Sequence, residues 1–234
     1  MELQPIDYEA HGQRFTGWLA DGSGGVPAPG ILVAHEGGGL TDHAKGRALK
    51  LAGLGHVAFA LDLFGEPDAP LERAREIVRQ LRGDVGMLRA RAAAALAILQ
   101  AHPHVDQSRL GAIGFCFGGA TVVELARTGA PLAALVGFHA GVLPGSEADD
   151  RAIRARVLLC HGHADPVVPV PQIIDFVEGL ERAGTDWQLH LYGGVGHSFT
   201  NIEIDSWELP GFFHHPEADR RSWAAMLGLF EEVF

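Results

Sequence analysis

Hydrophobic residues occur along the chain in short continuous runs, separated by longer stretches in which apolar positions recur with a helical period. The continuous runs predict buried strands at 30–35, 56–61, 110–113, 132–138, 156–161 and 187–192. Central strands of a parallel sheet have this composition because helices cover both of their faces. Residues 2–20 differ, since two short strand-like segments flank His11-Gly12 and predict a hairpin.

The amphipathic stretches predict helices between and after these strands. Their expected positions are 41–54, 71–82, 84–102, 120–127, 169–183 and 217–233. The intervening segments 21–29, 62–70 and 193–216 lack either pattern and predict loops. Strands that alternate with helices predict an α/β fold with a mostly parallel central sheet and helices on both faces. We expect a single domain over residues 1–234, because one α/β domain often reaches this length.

Composition and charge narrow the class of protein. The chain has 47% hydrophobic residues, which is enough for a large core, and its net charge of −11 disfavours nucleic acid or an anionic membrane as a partner. No apolar run approaches the roughly 18 residues that cross a bilayer, and the first residues lack the features of a signal peptide. A cytoplasmic location is therefore expected, in which Cys116 and Cys160 stay unpaired.

Four polar residues stand shortly after predicted strands. In chain order they are Glu36, Cys116, Asp165 and His197. Ligands of parallel α/β sheets bind beyond the carboxyl ends of the strands, so these side chains are expected to share one site. Cys116 lies between a strand and a helix in Gly114-Phe115-Cys116-Phe117-Gly118-Gly119, and this pattern is typical of a nucleophile elbow.

The residue types at these positions suit nucleophilic catalysis. A histidine with a pKa near 6.5 can take a proton from a nucleophile and return it to a leaving group, which is the role expected of His197. Asp165 would hold the imidazole in the correct tautomer. The helix that follows Cys116 favours its thiolate. The backbone N–H groups of Phe117 and Gly37 would form the oxyanion hole.

With these motifs the chain resembles the dienelactone hydrolase family, a cysteine branch of the α/β-hydrolase fold. The resemblance is carried by His35-Glu36-Gly37, by the elbow motif, by Gly162–Asp165 with Val168-Pro169, and by Gly196-His197-Ser198-Phe199. It implies an α/β-hydrolase fold and a triad of Cys116, His197 and Asp165. It also implies that Glu36 contacts the cysteine and moves when substrate binds, so that the thiol ionises. No cofactor or metal is expected, and the partner is a small-molecule ester or lactone.

One stretch departs from the family pattern. Founding members bind the carboxylate of their substrate with arginines, one of them a few residues after the histidine, where this chain has Thr200-Asn201-Ile202-Glu203. Another arginine could come from the series Arg73, Arg75 and Arg79. An insertion at 204–215 adds Trp207, Phe212 and Phe213 near the predicted site. These differences favour a neutral, rather apolar ester or lactone as substrate.

Three other motifs suggest different functions. His161-Gly162-His163-Ala164-Asp165 has the His-x-His-x-Asp spacing of a zinc metallohydrolase, but Pro166 stands where such sites place another histidine. The adjacent His214 and His215 would diverge in an extended loop rather than hold a metal. Residues 53–58 match a Gly-x-Gly-x-x-Ala fingerprint, but they end a helix and precede a strand, the reverse of the context that dinucleotide binding requires.

Further alternatives concern the reaction itself. With the predicted geometry, the thiolate of Cys116 could also attack a tetrahedral phosphorus. Promiscuous hydrolysis of aryl phosphotriesters is therefore a second hypothesis. A non-catalytic binding protein on the same fold is a third. Cys160 lies within an apolar run and is expected in the core, whereas the aromatic residues Trp18, Phe64, Trp207 and Phe213 could either pack internally or line the substrate pocket.

Overall fold

The computed structural model describes residues 2–234 and contains one eight-stranded sheet. The strands are β1 (Gln4–Ala10), β2 (Gln13–Asp21), β3 (Ala28–Ala34), β4 (Val57–Leu61), β5 (Val105–Phe115), β6 (Ala134–Phe138), β7 (Arg156–Gly162) and β8 (Trp187–Tyr192). Their order is β1-β2-β4-β3-β5-β6-β7-β8. β2 pairs antiparallel with β1 and β4, and the remaining pairs are parallel. The predicted mostly parallel sheet with an N-terminal hairpin is confirmed.

Helices cover both faces of this sheet. They are α1 (Asp42–Ala52), α2 (Leu71–Gly83), α3 (Val85–Gln100), α4 (Phe117–Ala126), α5 (Glu147–Arg151), α6 (Val170–Ala183) and α7 (Pro216–Val233), with a 3₁₀ helix at Ile202–Trp207. α1 and α7 pack on one face, and α2, α3, α4 and α6 pack on the other. The helical layers on both faces are therefore as predicted.

β3 shows why the central strands are continuously apolar. All seven of its residues are buried. Leu32 and Ala34 belong to the core beneath α2, α3, α4 and α6, whereas Ile31 and Val33 belong to the core beneath α1 and α7. Because successive side chains of a strand point to opposite faces, a strand covered on both sides needs apolar residues at every position.

The element boundaries differ from the predictions in several places. β5 begins at Val105 rather than at 110: Val105 already pairs with Ala28 of β3, and the polar, partly exposed residues 106–109 that follow gave no apolar run from which a strand could be predicted. β3 begins at Ala28, inside a predicted loop. α4 begins at Phe117, directly after Cys116, and not at 120. The 3₁₀ helix forms within the predicted loop 193–216, and α5 forms in a stretch for which no element was predicted.

Two expectations from composition concern cysteines and membrane segments. Cys116 and Cys160 are both free thiols, and Cys160 lies fully buried in the core as expected. Among residues 2–234, no helix is both long enough and apolar enough to cross a bilayer.

Candidate active site

The turn between β5 and α4 holds Cys116 in a strained backbone conformation. Its φ of 53° and ψ of −113° lie outside the regions that L-residues ordinarily occupy. Neighbouring glycines make the turn possible, because a Cβ on Gly114 would lie 2.1 Å from the carbonyl oxygen of Gly118 and a Cβ on Gly118 would lie 2.2 Å from that of Ala34. The sharp strand–turn–helix geometry that the motif predicts is therefore present.

Backbone hydrogen bonds fix this turn from the neighbouring strand. The N–H of Cys116 donates to the carbonyl of Phe138 at 3.1 Å, and the carbonyl of Cys116 accepts from Gly141 at 2.9 Å. The N–H groups of Phe117 and Gly37, by contrast, make no hydrogen bond within the described part of the chain. Gly37 lines the cavity that contains Cys116. The two amides expected to form an oxyanion hole thus remain available as donors.

Asp165 and His197 form a direct buried pair at the ends of β7 and β8. Nδ1 of His197 lies 2.6 Å from Oδ2 of Asp165, and both side chains are almost fully buried. The other carboxylate oxygen of Asp165 accepts the backbone N–H groups of Val167 at 2.8 Å and Val168 at 2.9 Å. Burial opposes ionisation of Asp165, but the hydrogen bond and charge of His197 lower its pKa below the usual value. The carboxylate is therefore fixed in position and ionised.

The imidazole of His197 is held by two neighbouring aromatic rings and by its own backbone. Its ring packs edge-on against His139, with centroids 5.2 Å apart, and against Phe212 at 5.0 Å. The N–H of His197 donates to the carbonyl of Gly211 at 2.8 Å. The 204–215 insertion, expected only as additional apolar surface, therefore also fixes the position of the histidine.

Nε2 of His197 is the ring atom left for chemistry. It is buried and makes no hydrogen bond of ordinary geometry within residues 2–234. Burial disfavours the charged ring, yet the negative charge of a Cys116 thiolate and the bond to Asp165 raise the pKa of His197 to about 10. Cys116 therefore lies near enough to His197 for the two charges to stabilise each other.

Glu36 lies beside this pair but is engaged with other residues. Its Oε2 accepts the side-chain amide of Asn201 at 2.5 Å, and its Oε1 is buried without a hydrogen-bond partner in the described chain. Burial raises the pKa of Glu36, although the bond from Asn201 opposes that shift. Glu36 and Cys116 line the same cavity, so a carboxyl group that holds its proton readily lies at the pocket that contains Cys116.

Two buried histidines near Glu36 were missed by the sequence reasoning. Nε2 of His139 lies 2.9 Å from the hydroxyl of Thr200 and 3.9 Å from Oε1 of Glu36, while Nδ1 of His43 lies 3.8 Å from Oε2. Burial lowers the pKa of both rings, that of His43 to about 3, so both are neutral. His139 stands directly after β6, and that position beyond a strand end was the available signal.

The cavity above Cys116 has a volume of about 250 Å³ and a largely apolar wall. Its apolar lining comes from Leu71, Val78, Ile204, Trp207, Leu209 and Phe212. Of the three candidate arginines, only Arg75 lines it, and that side chain is half exposed and bonded to Glu72 at 2.7 Å. Arg73 is instead paired with Glu66 and Glu76.

A larger cavity of about 720 Å³ adjoins the first one. The two share Gly38, Gly39, Thr41 and Glu203 in their walls. Trp18 and Phe64 line the larger cavity and Trp207 lines the smaller one. Phe64 is also almost fully buried in the core, so it both packs internally and forms part of a cavity wall.

The histidines of the two possible zinc motifs do not converge on a common point. Nε2 of His161 lies 2.9 Å from the carbonyl oxygen of Val168, and the side chain of His163 is exposed. His214 pairs with Asp219 at 3.5 Å, whereas His215 caps α7 through its own ring. Within residues 2–234, neither motif brings three metal-ligating atoms together.

Comparison with known proteins identifies the relatives of this chain. A sequence profile of the dienelactone hydrolase family matches residues 15–234. The solved structure of m3DLH is 45% identical, with a TM-score of 0.95 over 100% of this chain and 98% of its own. The dienelactone hydrolase-like promiscuous phosphotriesterase P91, from metagenomic libraries, is 42% identical, with the same TM-score and coverage. The carboxymethylenebutenolidase of Pseudomonas putida is 27% identical over 85% of this chain and 86% of its own.

These matches cover almost the whole chain and agree with the sheet order and the elbow. The expectation of an α/β-hydrolase fold is confirmed, and so is the resemblance on which it depended. The protein belongs to the dienelactone hydrolase family of hydrolases.

Proposed function

We propose that this protein hydrolyses ester and lactone bonds through a covalent acyl-enzyme, with Cys116 as nucleophile, His197 as general base and Asp165 as its orienting carboxylate. The observation that carries the proposal is the position of Cys116. It is held at a φ of 53° on a sharp turn, beside a histidine whose other nitrogen is bonded to a buried aspartate at 2.6 Å. A cysteine with a purely structural role would need neither a strained backbone nor a buried histidine–aspartate pair beside it.

The first half of the reaction follows from these contacts. Nε2 of His197 takes the proton of Cys116, and the sulfur attacks the carbonyl carbon of the substrate. The negative charge that develops on the carbonyl oxygen is stabilised by the unpaired N–H groups of Phe117 and Gly37. The tetrahedral intermediate then expels the alkoxide, which receives the proton from His197, and a thioester remains on Cys116.

The second half uses the same groups in reverse. His197 takes a proton from water, which attacks the thioester carbonyl. The thiolate of Cys116 leaves and takes this proton back from His197, and the acid product departs. Asp165 keeps the proton of His197 on Nδ1 throughout, so that Nε2 can accept and donate in both halves.

Glu36 serves in this proposal as a hydrogen-bond donor to the sulfur of Cys116. Its pKa is raised by burial, and its Oε1 has no partner within residues 2–234. When a bound substrate moves this protonated carboxyl group towards Cys116, its hydrogen bond stabilises the thiolate and so favours transfer of the thiol proton to His197. The resting thiol of Cys116 would then ionise only when the cavity is filled, which agrees with the role that the family resemblance implies for this glutamate.

The cavity favours uncharged substrates with an apolar part. Six apolar side chains line about 250 Å³, a volume that suits a small ester or lactone. Arg75 is the single cation of the wall, and solvent and Glu72 already satisfy part of its charge. A carboxylate on the substrate would therefore gain little binding energy from Arg75. We accordingly favour neutral aryl and alkyl esters and lactones over dienelactones as substrates.

The test is esterase activity on p-nitrophenyl butyrate and on a neutral lactone. Cys116→Ala should reduce kcat by at least about 10³-fold, because members of such a constellation act as a unit. Cys160→Ala is the matched control, since it removes the other thiol, which is buried in the core away from the cavity. Activity retained by Cys116→Ala would reject the proposed nucleophile.

Hydrolysis of aryl phosphotriesters is a second candidate function. It is supported by the 42% identity to a promiscuous phosphotriesterase over the whole chain and by the uncharged character of most of the cavity wall. The sulfur of Cys116 would attack phosphorus and expel the aryloxide, and water would then cleave the phosphorus–sulfur bond. Turnover of paraoxon that disappears in Cys116→Ala would support this activity. Turnover unchanged in that variant, or absent from the wild type, would exclude it.

A further inference from the structure

Three potential metal ligands cluster at the edge of the sheet opposite Cys116. Asp21 is the last residue of β2, and His102 and His104 lie in the turn between α3 and β5. One ligand atom from each lies within 4.8 Å of the other two. Cys116 follows the far end of β5, and at about 3.3 Å per residue the length of that strand separates it from His104 by on the order of 30 Å. The cluster is therefore distinct from the proposed active site.

The two rings of this cluster converge on one carboxylate oxygen. Nδ1 of His104 lies 3.0 Å from Oδ2 of Asp21, and Nε2 of His102 lies 3.8 Å from the same atom. A tetrahedral ion with bonds of about 2.0–2.1 Å separates its ligand atoms by about 3.3–3.4 Å. The observed distances lie on either side of that value, so small ring rotations bring both nitrogens to coordinating positions.

Neighbouring hydrogen bonds hold the ligands in place and leave Oδ2 of Asp21 to the cluster. The N–H of Ser23 donates to Oδ1 of Asp21 at 2.8 Å, and the hydroxyl of Ser23 lies 3.1 Å from Nδ1 of His104. The N–H of Ala28 donates to the carbonyl of His104 at 2.8 Å. Nε2 of His102 faces the same carboxylate at 3.8 Å, beyond hydrogen-bond distance, while Nδ1 of this ring accepts the N–H of His104 at 3.4 Å.

The protonation states and the donor types suit a transition metal. Burial opposes ionisation of Asp21, but hydrogen bonds from Ser23 and His104 lower its pKa to about 2. Burial lowers the pKa of His102. At neutral pH the cluster therefore offers a carboxylate and at least one neutral imidazole, as metal binding requires. Two nitrogens and one oxygen match Zn²⁺ and its neighbours, whereas Mg²⁺ and Ca²⁺ prefer oxygen ligands throughout.

We propose that Asp21, His102 and His104 form a binding site for a divalent transition-metal ion such as Zn²⁺, with a fourth position open to water. When Nδ1 of His104 bonds the ion, its proton passes through solvent to Nε2 of the same ring. Coordination through Nε2 of His102 moves that ring's proton to Nδ1, at the loss of a weak 3.4 Å contact with the N–H of His104. The ion would tie the end of β2 to the start of β5 and stabilise the fold.

The proposal is tested by calorimetric titration of untagged protein with Zn²⁺. A Cys116→Ser background removes the thiol that would otherwise compete for the metal. We expect one ion per chain, and Co²⁺ in its place should give the strong visible absorption of tetrahedral coordination. At a free-metal concentration about 100 times Kd, the Tm should rise by about 5–10 °C, because the ion binds only the folded chain.

Matched histidine variants distinguish this site from unspecific binding. His102→Ala in the same background should weaken Zn²⁺ binding at least tenfold, while it keeps the bond between Asp21 and His104. His11→Asn should bind as the parent does, because it removes an exposed histidine with a φ of 50° that asparagine tolerates. If His102→Ala does not fold, as judged by circular dichroism, His102→Gln replaces it. Equal affinity in the His102 variant and the parent, or no 1:1 binding by the parent, would overturn the site.

Discussion

Replacement of Asp165 by asparagine tests the proposed mechanism most directly, because the change alters the tautomer of His197 and little else. Oδ1 of Asp165 accepts two backbone N–H groups, those of Val167 and Val168. An asparagine keeps its carbonyl oxygen there and presents N–H groups to His197 in place of Oδ2. Nδ1 of His197 then becomes an acceptor, and the ring proton moves to Nε2.

The expected loss follows from the tautomer. With a proton on Nε2, His197 cannot accept the proton of Cys116, and the base is present only in a minor, less stable form. In another enzyme with such a triad, the wrong histidine tautomer lowers kcat by about 10⁴-fold, which corresponds to about 5.5 kcal/mol of activation free energy. We therefore expect Asp165→Asn to lower kcat for p-nitrophenyl butyrate by about 10³–10⁴-fold, with KM changed less than about threefold.

A second aspartate provides the control for this substitution. Asp106 accepts the N–H of Ser108 at 2.9 Å within the first residues of β5, the far end of that strand from Cys116. Asp106→Asn should leave kcat within about twofold of the wild type. The Tm of Asp165→Asn should also stay close to that of the wild type, since both backbone hydrogen bonds persist. A folded Asp165→Asn protein with kcat within tenfold of the wild type would show that Asp165 only shapes the turn.

Three further predictions concern the turn, the cavity and the ion pair. Gly118→Ala should abolish soluble folded protein or lower its Tm sharply in thermal unfolding, because a Cβ there would lie 2.2 Å from a carbonyl oxygen of β3. The control is Gly228→Ala on α7, where a Cβ would meet open space; this variant should be neutral or slightly stabilising. Trp207→Ala should raise KM by about 3–10-fold for butyrate esters and less for acetates, through lost apolar contact. The pKa of His197, raised to about 10 beside the thiolate, should fall in Cys116→Ser when followed by NMR; an unchanged value would mean that the two residues do not interact.

The sequence was sufficient to predict the sheet, the elbow and the pair at its edge. Continuous apolar strands, with helices between them, determine a parallel sheet, and a parallel sheet places residues after its strands at one edge. Asp165 and His197 are 32 residues apart in the chain, yet they meet because β7 and β8 are neighbours. The glycines around Cys116 permit the sharp turn from strand to helix that the motif predicts, and this turn is present in the structure.

Other parts of the site could not be predicted because they depend on packing between distant segments. Arg75 was one of three equivalent arginines until the orientation of α2 placed it at the cavity. His43 and His139 come from different elements, and only the folded chain brings both within 4 Å of Glu36. The insertion at 204–215 has no regular pattern, so its contact with the backbone of His197 could not be read from periodicity.

The order in which the proposed catalytic groups occur along the chain has a consequence during biosynthesis. Cys116 precedes His197 by 81 positions, and the Gly211 carbonyl that fixes the histidine lies further on still. At about 5–20 residues per second, a ribosome adds those residues in roughly 4–16 s. The elbow cysteine therefore leaves the ribosome without its base, as an ordinary thiol, and the proposed nucleophile becomes activated only when the last third of the chain has docked.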